Sequence, residues 1–297
     1  MSGDVIVTVT LNAALHVTYQ AAAAPGANGI TPVSRPVYRA GGRGVTVARV
    51  LREFGHDVLA AGLAGGAAGE LIGQDLARSG VPAGFTRIRG ESRRLFTFSY
   101  AGAPAGLTYG EPGPYITTEE LGRFAGDYRA LMSSAAAVVL SGSLPDGLPS
   151  DMYATLVRYA TEAGVPAVLD AGGEELLLAV RNHPALVVAD SADAGAGPAL
   201  LRLGAGAAVV RGDGRGEGAV EVVTESGRWT ASVPVADGVT LDRGALVAGL
   251  VPGELLGWSW PDRLRHCLAL ATGVTPDGDV DPRAYETLLD TVTITAD

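Results

Sequence analysis

The sequence predicts an α/β domain built on a mainly parallel sheet flanked by helices. Buried-strand runs alternate with helical stretches, the strands at residues 58–63, 165–170 and 185–190 and the helices at 65–80 and 150–163. Continuous apolar strands separated by helices are typical of parallel sheets that are covered on both faces. With 297 residues, 47% of them hydrophobic, the chain is long enough to bury the core of one large domain.

Charge and composition limit the partners and the compartment that we expect. The net charge of −10 argues against a nucleic-acid partner or an anionic membrane, because both need a basic surface. Cys267 is the one cysteine and has apolar neighbours, so we expect it to be buried, and it can form no intrachain disulfide. No apolar run approaches the roughly 20 residues of a membrane span. A cytoplasmic location is therefore expected.

The chain contains no lysine, so all 22 of its Lys and Arg residues are arginine. This excludes the lysine-dependent chemistries, namely a Walker A phosphate loop, pyridoxal phosphate attachment, Schiff-base catalysis and the protein-kinase lysine. An arginine-for-lysine bias on the surface explains the absence most simply.

Several segments carry a family resemblance. Residues 11–19 read LNAALHVTY, residues 40–51 read AGGRGVTVARVL, and residues 135–148 end in SGSLPDGL. They are similar to LNPALDVTY, AGGKGINVARVL and SGSLPPGL of PfkB sugar kinases, most closely the 1-phosphofructokinase and tagatose-6-phosphate kinase branch. The resemblance implies a single domain over 1–297, with a ribokinase-like, doubly wound, mainly parallel sheet flanked by helices. It also implies a small β lid at about 17–39 and 86–109, and such lids can pair two subunits into a homodimer.

The resemblance also implies a sugar-phosphate site. In the segment 40–51, the glycines let the backbone approach the ligand, and the helix that follows them offers its N-terminus to a phosphate. Arg43 replaces the family's lysine and Arg93 matches its phosphate-gripping arginine, whereas His16 and Thr46 replace the Asp and Asn that read sugar hydroxyls. A loop histidine without a ligand and a solvated arginine cluster are the alternatives. The predicted substrate-binding residues are His16, Gly41, Gly42, Arg43, Thr46, Arg93, Ser141 and Ser143.

Nucleotide and metal residues are also implied by the resemblance. If the protein is an active kinase, its cofactors are ATP and Mg²⁺. Asp190 and Asp193 occupy the positions of an Asn and a Glu that the family links to Mg²⁺, although a solvated helix start with an Asp cap is the alternative. The glycine-rich stretch 207–223 corresponds to a nucleotide loop, but its extra carboxylates favour a flexible hairpin loop instead. The implied nucleotide-binding residues are Arg211, Gly212, Gly214 and Arg243.

The largest departure lies at residues 241–244, which read LDRG where the family has GAGD. In the family, the backbone of GAGD cradles the phosphoryl group and its Asp is the general base. Gly244 occupies the place of that Asp. Asp242, two residues earlier, is the candidate catalytic residue if the helix start is shifted, and the N-cap of a helix beginning at Arg243 otherwise.

Three functions are compatible with these residues. The one favoured is a kinase homologue impaired in phosphoryl transfer that still binds a small anionic molecule such as a sugar phosphate. An active ATP-dependent hexose-phosphate kinase using Asp242 as its base is the second. The third is a non-catalytic interaction protein. Losing a general base costs roughly 10²- to 10⁴-fold in rate, which is why the first function is favoured.

Overall fold

A computed structural model describes residues 5–21, 30–100, 107–190, 196–212, 218–235, 241–275 and 279–296. Within these ranges the strands are β1 (Val5–Thr10), β2 (Ala14–Ala21), β3 (Val37–Gly41), β4 (Val58–Gly65), β5 (Ala83–Ile88), β6 (Arg93–Tyr100), β7 (Leu107–Gly110), β8 (Ala135–Ser141), β9 (Ala167–Asp170), β10 (Leu186–Asp190), β11 (Ala207–Arg211), β12 (Gly218–Thr224), β13 (Gly227–Val233) and β14 (Thr293–Ala296). The α-helices are α1 (Arg43–Glu53), α2 (Gly66–Arg78), α3 (Thr118–Met132), α4 (Met152–Glu162), α5 (Gly173–Ala179), α6 (Ala196–Leu203), α7 (Arg243–Leu256), α8 (Trp260–Gly273) and α9 (Pro282–Leu289).

Ten strands form the central sheet, in the order β14-β13-β12-β11-β10-β9-β8-β1-β4-β5. Every neighbouring pair from β11 to β5 is parallel, whereas β12, β13 and β14 are antiparallel additions at one edge. The predicted mainly parallel sheet flanked by helices is confirmed. The order in which the strands were added reverses between β8 and β1, near the centre of the sheet. Ligands of α/β folds usually bind at such a topological switch point.

Apolar side chains fill both faces of the sheet. Along β1, Ile6 joins the cluster that includes α1, α7 and α8, while Val7 and Val9 join the cluster beneath α3 and α4. Successive strand residues point to opposite faces, so strands covered on both sides are apolar at every position. This burial explains why the strands could be recognised from short apolar runs.

Helix α7 is the most enclosed helix of the described structure. Every residue from Gly244 to Gly253 is buried, and the helix lies between α1 and α8. A Cβ at Gly249 would lie 2.5 Å from the Cα of Cys267 on α8, so only glycine permits this close approach. Cys267 is buried, as expected, and burial raises the pKa of its thiol to about 12. None of the helices in the described ranges combines the length and the apolar character needed to cross a membrane.

A second sheet of four strands, in the order β3-β2-β6-β7, corresponds to the predicted β lid. Strands β2 and β6 are its parallel central pair, with Ala14 opposite Arg93 and His16 opposite Leu95. The predicted lid segment 86–109 begins too early, because residues 86–88 belong to β5, which pairs with β4 in the central sheet. The other segment begins at residue 14 instead of 17 and ends at 41 instead of 39. Residues 22–29 and 101–106 lie outside the described residues.

Candidate active site

A cavity of about 280 Å³ separates the lid from the carboxyl edge of the central sheet. The lid contributes His16, Arg93 and Leu95, and the core contributes the remaining lining residues, Thr10, Asn12, Gly42, Arg43, Thr46, Gly142 and Ser143. Six of the eight predicted substrate-binding residues therefore line one cavity. The other two, Gly41 and Ser141, lie next to it, Gly41 beneath the His16 ring and Ser141 at the end of β8.

Glycine at position 42 makes the entry to helix α1 possible. Gly42 is the N-cap of α1 and has φ 114°, a conformation that side-chain-bearing residues rarely adopt. A Cβ at this position would also lie 2.6 Å from the Cγ2 of Thr10. The chain thus turns sharply between lid strand β3 and α1, and places Arg43, the first residue of the helix, at the cavity.

His16 lies on the inner face of the lid, directly over Gly41. A Cβ at Gly41 would come within 2.2 Å of His16 Nε2, so the glycine leaves room for the imidazole. His16 is exposed to solvent in the open cavity, but the protein atoms around its ring partly desolvate it and so lower its pKa, and the nearby charges of Arg93, Arg39 and Arg49 lower it further. The imidazole is therefore neutral at pH 7, and offers one hydrogen-bond donor and one acceptor to a ligand.

Arg43 and Arg93 place two positive charges on the cavity wall. Arg43 Nη1 donates to Asp170 Oδ1 at 3.0 Å, and its side chain stays 34% exposed, which leaves its other donors accessible. Arg93 Nε donates to the backbone oxygen of Asn12 at 3.3 Å. On the same wall, Asn12 Nδ2 donates to Ser143 Oγ at 3.2 Å, while the buried Asn12 Oδ1 has no partner. This wall is suited to an anion that also carries hydroxyl groups.

Five charged residues continue from the cavity along the ends of β9, β10 and β11, and we call them the Arg–Asp chain. Its members, in spatial order, are Arg43, Asp170, Arg243, Asp190 and Arg211. Asp170 is completely buried, and its carboxylate also accepts from Ser141 Oγ. Each carboxylate is contacted by two guanidiniums, an alternation that neutralises buried charge.

Asp170 is a site residue that the sequence analysis did not single out. It ends the buried strand β9 and is followed by Ala171 and two glycines at the carboxyl edge of the sheet. A carboxylate at the end of a buried parallel strand was the available signal, since such edges carry ligand sites in α/β folds.

Helix α7 begins as the N-cap hypothesis predicted. Asp242 has extended backbone geometry, and its Oδ1 accepts from the Ala245 backbone N–H at 2.8 Å. Gly244 is buried against α1, where an added Cβ would lie 2.7 Å from Thr46 Cβ and 2.8 Å from Thr46 Cγ2. Residues 241–244 at the start of α7 thus carry one carboxylate, that of Asp242, which caps the helix, and the side chain of Arg243 turns toward Asp170 and Asp190.

Those residues predicted to hold nucleotide and metal that the structure describes have partners within the protein. Arg211 binds Asp190 with its Nε at 2.9 Å, and Gly212 N–H donates to Ala219 O at 3.1 Å within the β11–β12 hairpin. Burial alone would raise the pKa of Asp190, but Arg243 and Arg211 more than offset it and lower that pKa. Asp193 and Gly214 lie outside the described residues. The described residues include no cluster of three or more His, Cys, Asp or Glu side chains that could hold a metal ion.

The family model for pfkB family carbohydrate kinases matches residues 10–197, which is more than half of the chain. The chain belongs to the pfkB family. The matched range covers the lid, α1 and the strand ends that bear Asp170 and Asp190, and it stops before α7. Active members of this kinase family are expected to depend on ATP and Mg²⁺.

Curated relatives and solved structures agree with this assignment. Tagatose-6-phosphate kinases from two strains of Staphylococcus epidermidis are 36% and 35% identical over 171 residues, a match that covers 58% of this chain. It covers 54% of those proteins, so the matching part spans about half the length of the curated relatives.

Solved structures extend the likeness of fold over nearly the whole chain. A phosphofructokinase described as putative, from Staphylococcus aureus, has a TM-score of 0.81 and 24% identity and covers 98% of both chains. A possible 1-phosphofructokinase from Thermotoga maritima has a TM-score of 0.83 at 21% identity, with 99% of both chains covered. Phosphofructokinase-2 from Escherichia coli in complex with fructose-6-phosphate gives 0.82 at 21% identity, covering 98% of this chain and 99% of that one. The predicted ribokinase-like α/β fold is confirmed.

Proposed function

We propose that this pfkB-family protein binds a phosphorylated sugar, or a sugar-like anion, in the cavity beneath the lid and transfers phosphoryl groups poorly or not at all. The observation that carries the proposal is the contrast between the two ends of the site. Two accessible arginines line the cavity, whereas residues 241–244 at the start of α7 carry one carboxylate, that of Asp242, and it caps the helix. The names of the relatives, a tagatose-6-phosphate kinase and a phosphofructokinase with fructose-6-phosphate, suggest ketohexose phosphates as the ligand class.

Charge and hydrogen-bonding capacity support the binding half of the proposal. A phosphate group accepts charge-assisted hydrogen bonds from the guanidinium groups of Arg43 and Arg93. Neutral His16, Asn12 and Ser143 are then available for sugar hydroxyls, which both donate and accept. Helix α1 also directs its N-terminus toward the cavity, where its dipole favours an anion.

The geometry at the start of α7 supports the second part of the proposal, that the protein transfers phosphoryl groups poorly or not at all. A general base must be within hydrogen-bonding reach of the hydroxyl that it deprotonates. Asp242 is already hydrogen-bonded to Ala245 N–H at the helix start, an arrangement worth about 1 kcal/mol that a catalytic role would disturb. Gly244 has no side chain to replace it, and Arg243 projects over the strand ends where a phosphoryl group would need open backbone N–H donors.

Replacing both Arg43 and Arg93 by alanine should abolish the thermal shift produced by fructose-6-phosphate, fructose-1-phosphate or tagatose-6-phosphate. Ligand at 100 times its Kd stabilises a protein by about 2.7 kcal/mol, which is readily seen in a melting curve. Arg89→Ala is the matched control, because Arg89 lies away from the cavity with its side chain 84% exposed and should leave the shift intact. If none of these sugar phosphates shifts the melting temperature of the parent protein, the binding proposal is wrong.

A coupled assay for ADP release tests whether phosphoryl transfer is impaired. We expect turnover with ATP, Mg²⁺ and each sugar phosphate to fall several orders of magnitude below the 1 to 100 per second that is typical of kinases. Asp242→Asn should then leave that low rate unchanged. Kinase-like turnover in the parent that disappears in Asp242→Asn would instead establish the shifted base and contradict the proposal.

A further inference from the structure

The surroundings of the Arg243 guanidinium resemble those of a bound hard cation. Its Nε contacts Asp170 Oδ1, and its Nη1 donates to Asp190 Oδ2 at 2.5 Å. Its Nη2 donates to two backbone oxygens, Val188 O at 3.1 Å and Ala171 O at 3.3 Å. Two carboxylates and two carbonyls are the oxygen ligands that Mg²⁺ and Ca²⁺ prefer.

We infer that the Arg243 guanidinium takes the place of a divalent cation at the ends of β9 and β10, so that this edge of the sheet does not bind Mg²⁺. The Mg²⁺ that active pfkB kinases are expected to use does not fit the residues present here. The inference goes beyond the proposed function, because it concerns the protein in the absence of any sugar ligand.

Charge balance around Arg243 supports this inference. Arg243 is only 13% exposed and Asp170 is fully buried, so each needs a fixed counter-charge. Arg43 contacts the same Asp170 oxygen as Arg243, namely Oδ1, and Arg211 contacts the other Asp190 oxygen, Oδ1. A divalent cation added to this arrangement would lie among three guanidiniums, and the repulsion between like charges would oppose its binding.

The place of Arg243 in its helix is electrostatically unfavourable, and its carboxylate partners must offset this. Arg243 is the first residue of α7. A cation at a helix N-terminus is unfavourable, since the helix dipole places positive charge there. The carboxylates of Asp170 and Asp190 offset that repulsion. Contacts with oxygen atoms therefore hold Arg243 at a position that the helix dipole disfavours.

The test measures Mn²⁺ alone, as a paramagnetic substitute for Mg²⁺, by electron paramagnetic resonance of the free ion. Wild type and Asp190→Asn should bind Mn²⁺ equally weakly, because Asp190 is occupied by arginines in the wild type. Arg243→Ala should bind Mn²⁺ roughly 10- to 100-fold more tightly, the range by which groups around a metal usually alter its affinity. That gain should be lost in Arg243→Ala/Asp190→Asn and absent in Arg243→Lys, which keeps the positive charge.

Each comparison can overturn the inference. If Asp190→Asn weakens Mn²⁺ binding relative to wild type, Asp190 is a metal ligand in the native protein, and this result requires no Arg243 variant to fold. If Arg243→Ala retains a folded circular dichroism spectrum and gains no Mn²⁺ affinity, the guanidinium does not occupy a cation position. Neither measurement involves a sugar phosphate, so failure here and failure of the proposed function can be told apart.

Discussion

Asp170→Ala should lower the free energy of unfolding by about 3 to 5 kcal/mol, the usual effect of removing one partner from a buried ion pair. The substitution leaves Arg243, only 13% exposed, without its buried carboxylate, and it removes the contacts with Arg43 and Ser141. Urea denaturation followed by circular dichroism measures the change. Arg43 should also lose its fixed position at the cavity, so any thermal shift with a sugar phosphate should weaken in the same variant.

An exposed ion pair provides the control for this experiment. Asp57 pairs with Arg52 at 3.2 Å, but its side chain is 68% exposed. Asp57→Ala should therefore change the free energy of unfolding by no more than about 1 kcal/mol. A cost for Asp170→Ala as small as that of Asp57→Ala would mean that the Arg–Asp chain contributes little to the stability of the fold.

Gly244→Asp, the substitution that would return a carboxylate to this position, should destabilise the protein by about 1 to 3 kcal/mol, as overpacking of a core usually does. Its Cβ would lie 2.7 Å from Thr46 Cβ, a contact that requires α1 and α7 to move apart. Kinase turnover should stay at the parent level, well short of the roughly 10²- to 10⁴-fold gain that a positioned base supplies.

Two further variants separate steric effects from other effects at this position. Gly73→Asp is the matched control, because Gly73 lies within helix α2 and a Cβ there meets no atom within 4 Å. Thr46→Gly removes the opposing side chain, so the cost of Gly244→Asp should be smaller in that background, which a double-mutant cycle measures directly. If Gly244→Asp is as stable as Gly73→Asp and turnover rises 100-fold or more, only the base was missing and our account of α7 is wrong.

Restoring all four family residues should recover more turnover than Gly244→Asp alone. Leu241→Gly, Asp242→Ala and Arg243→Gly would reopen the backbone cradle beside the new carboxylate. They would also remove the counter-charge of Asp170 and Asp190. We therefore expect the fourfold variant to be less stable than the parent in the same urea titration.

Local patterns were sufficient to predict most elements of this fold. Buried strands such as β9 and β10 consist of consecutive apolar residues because both faces of the sheet are covered. The start of α7 was visible in Asp242, whose short carboxylate side chain is suited to capping a helix. The lid boundary at residue 86 was wrong because β5 alternates like a lid strand, although it is the edge strand of the central sheet.

The Arg–Asp chain could not be predicted in the same way. Asp170 is separated from Arg43 by 127 residues and from Arg243 by 73, and no local pattern connects them. They meet because strand order brings β9 and β10 together beneath the starts of α1 and α7. Arginine at position 243 could equally have pointed to solvent, and only the folded arrangement gives its guanidinium four oxygen partners.

The close packing of α1 on α7 also affects the order in which substitutions can accumulate in descendants of this sequence. Thr46 and Gly244 constrain each other, because a Cβ at position 244 would lie 2.7 Å from Thr46 Cβ with the helices at their present separation. Single changes that cost 1 to 3 kcal/mol consume much of the roughly 5 to 15 kcal/mol that keeps a domain folded. An acidic residue at position 244 would therefore be gained at a smaller cost in stability if a change that relieves the contact with Thr46 came first.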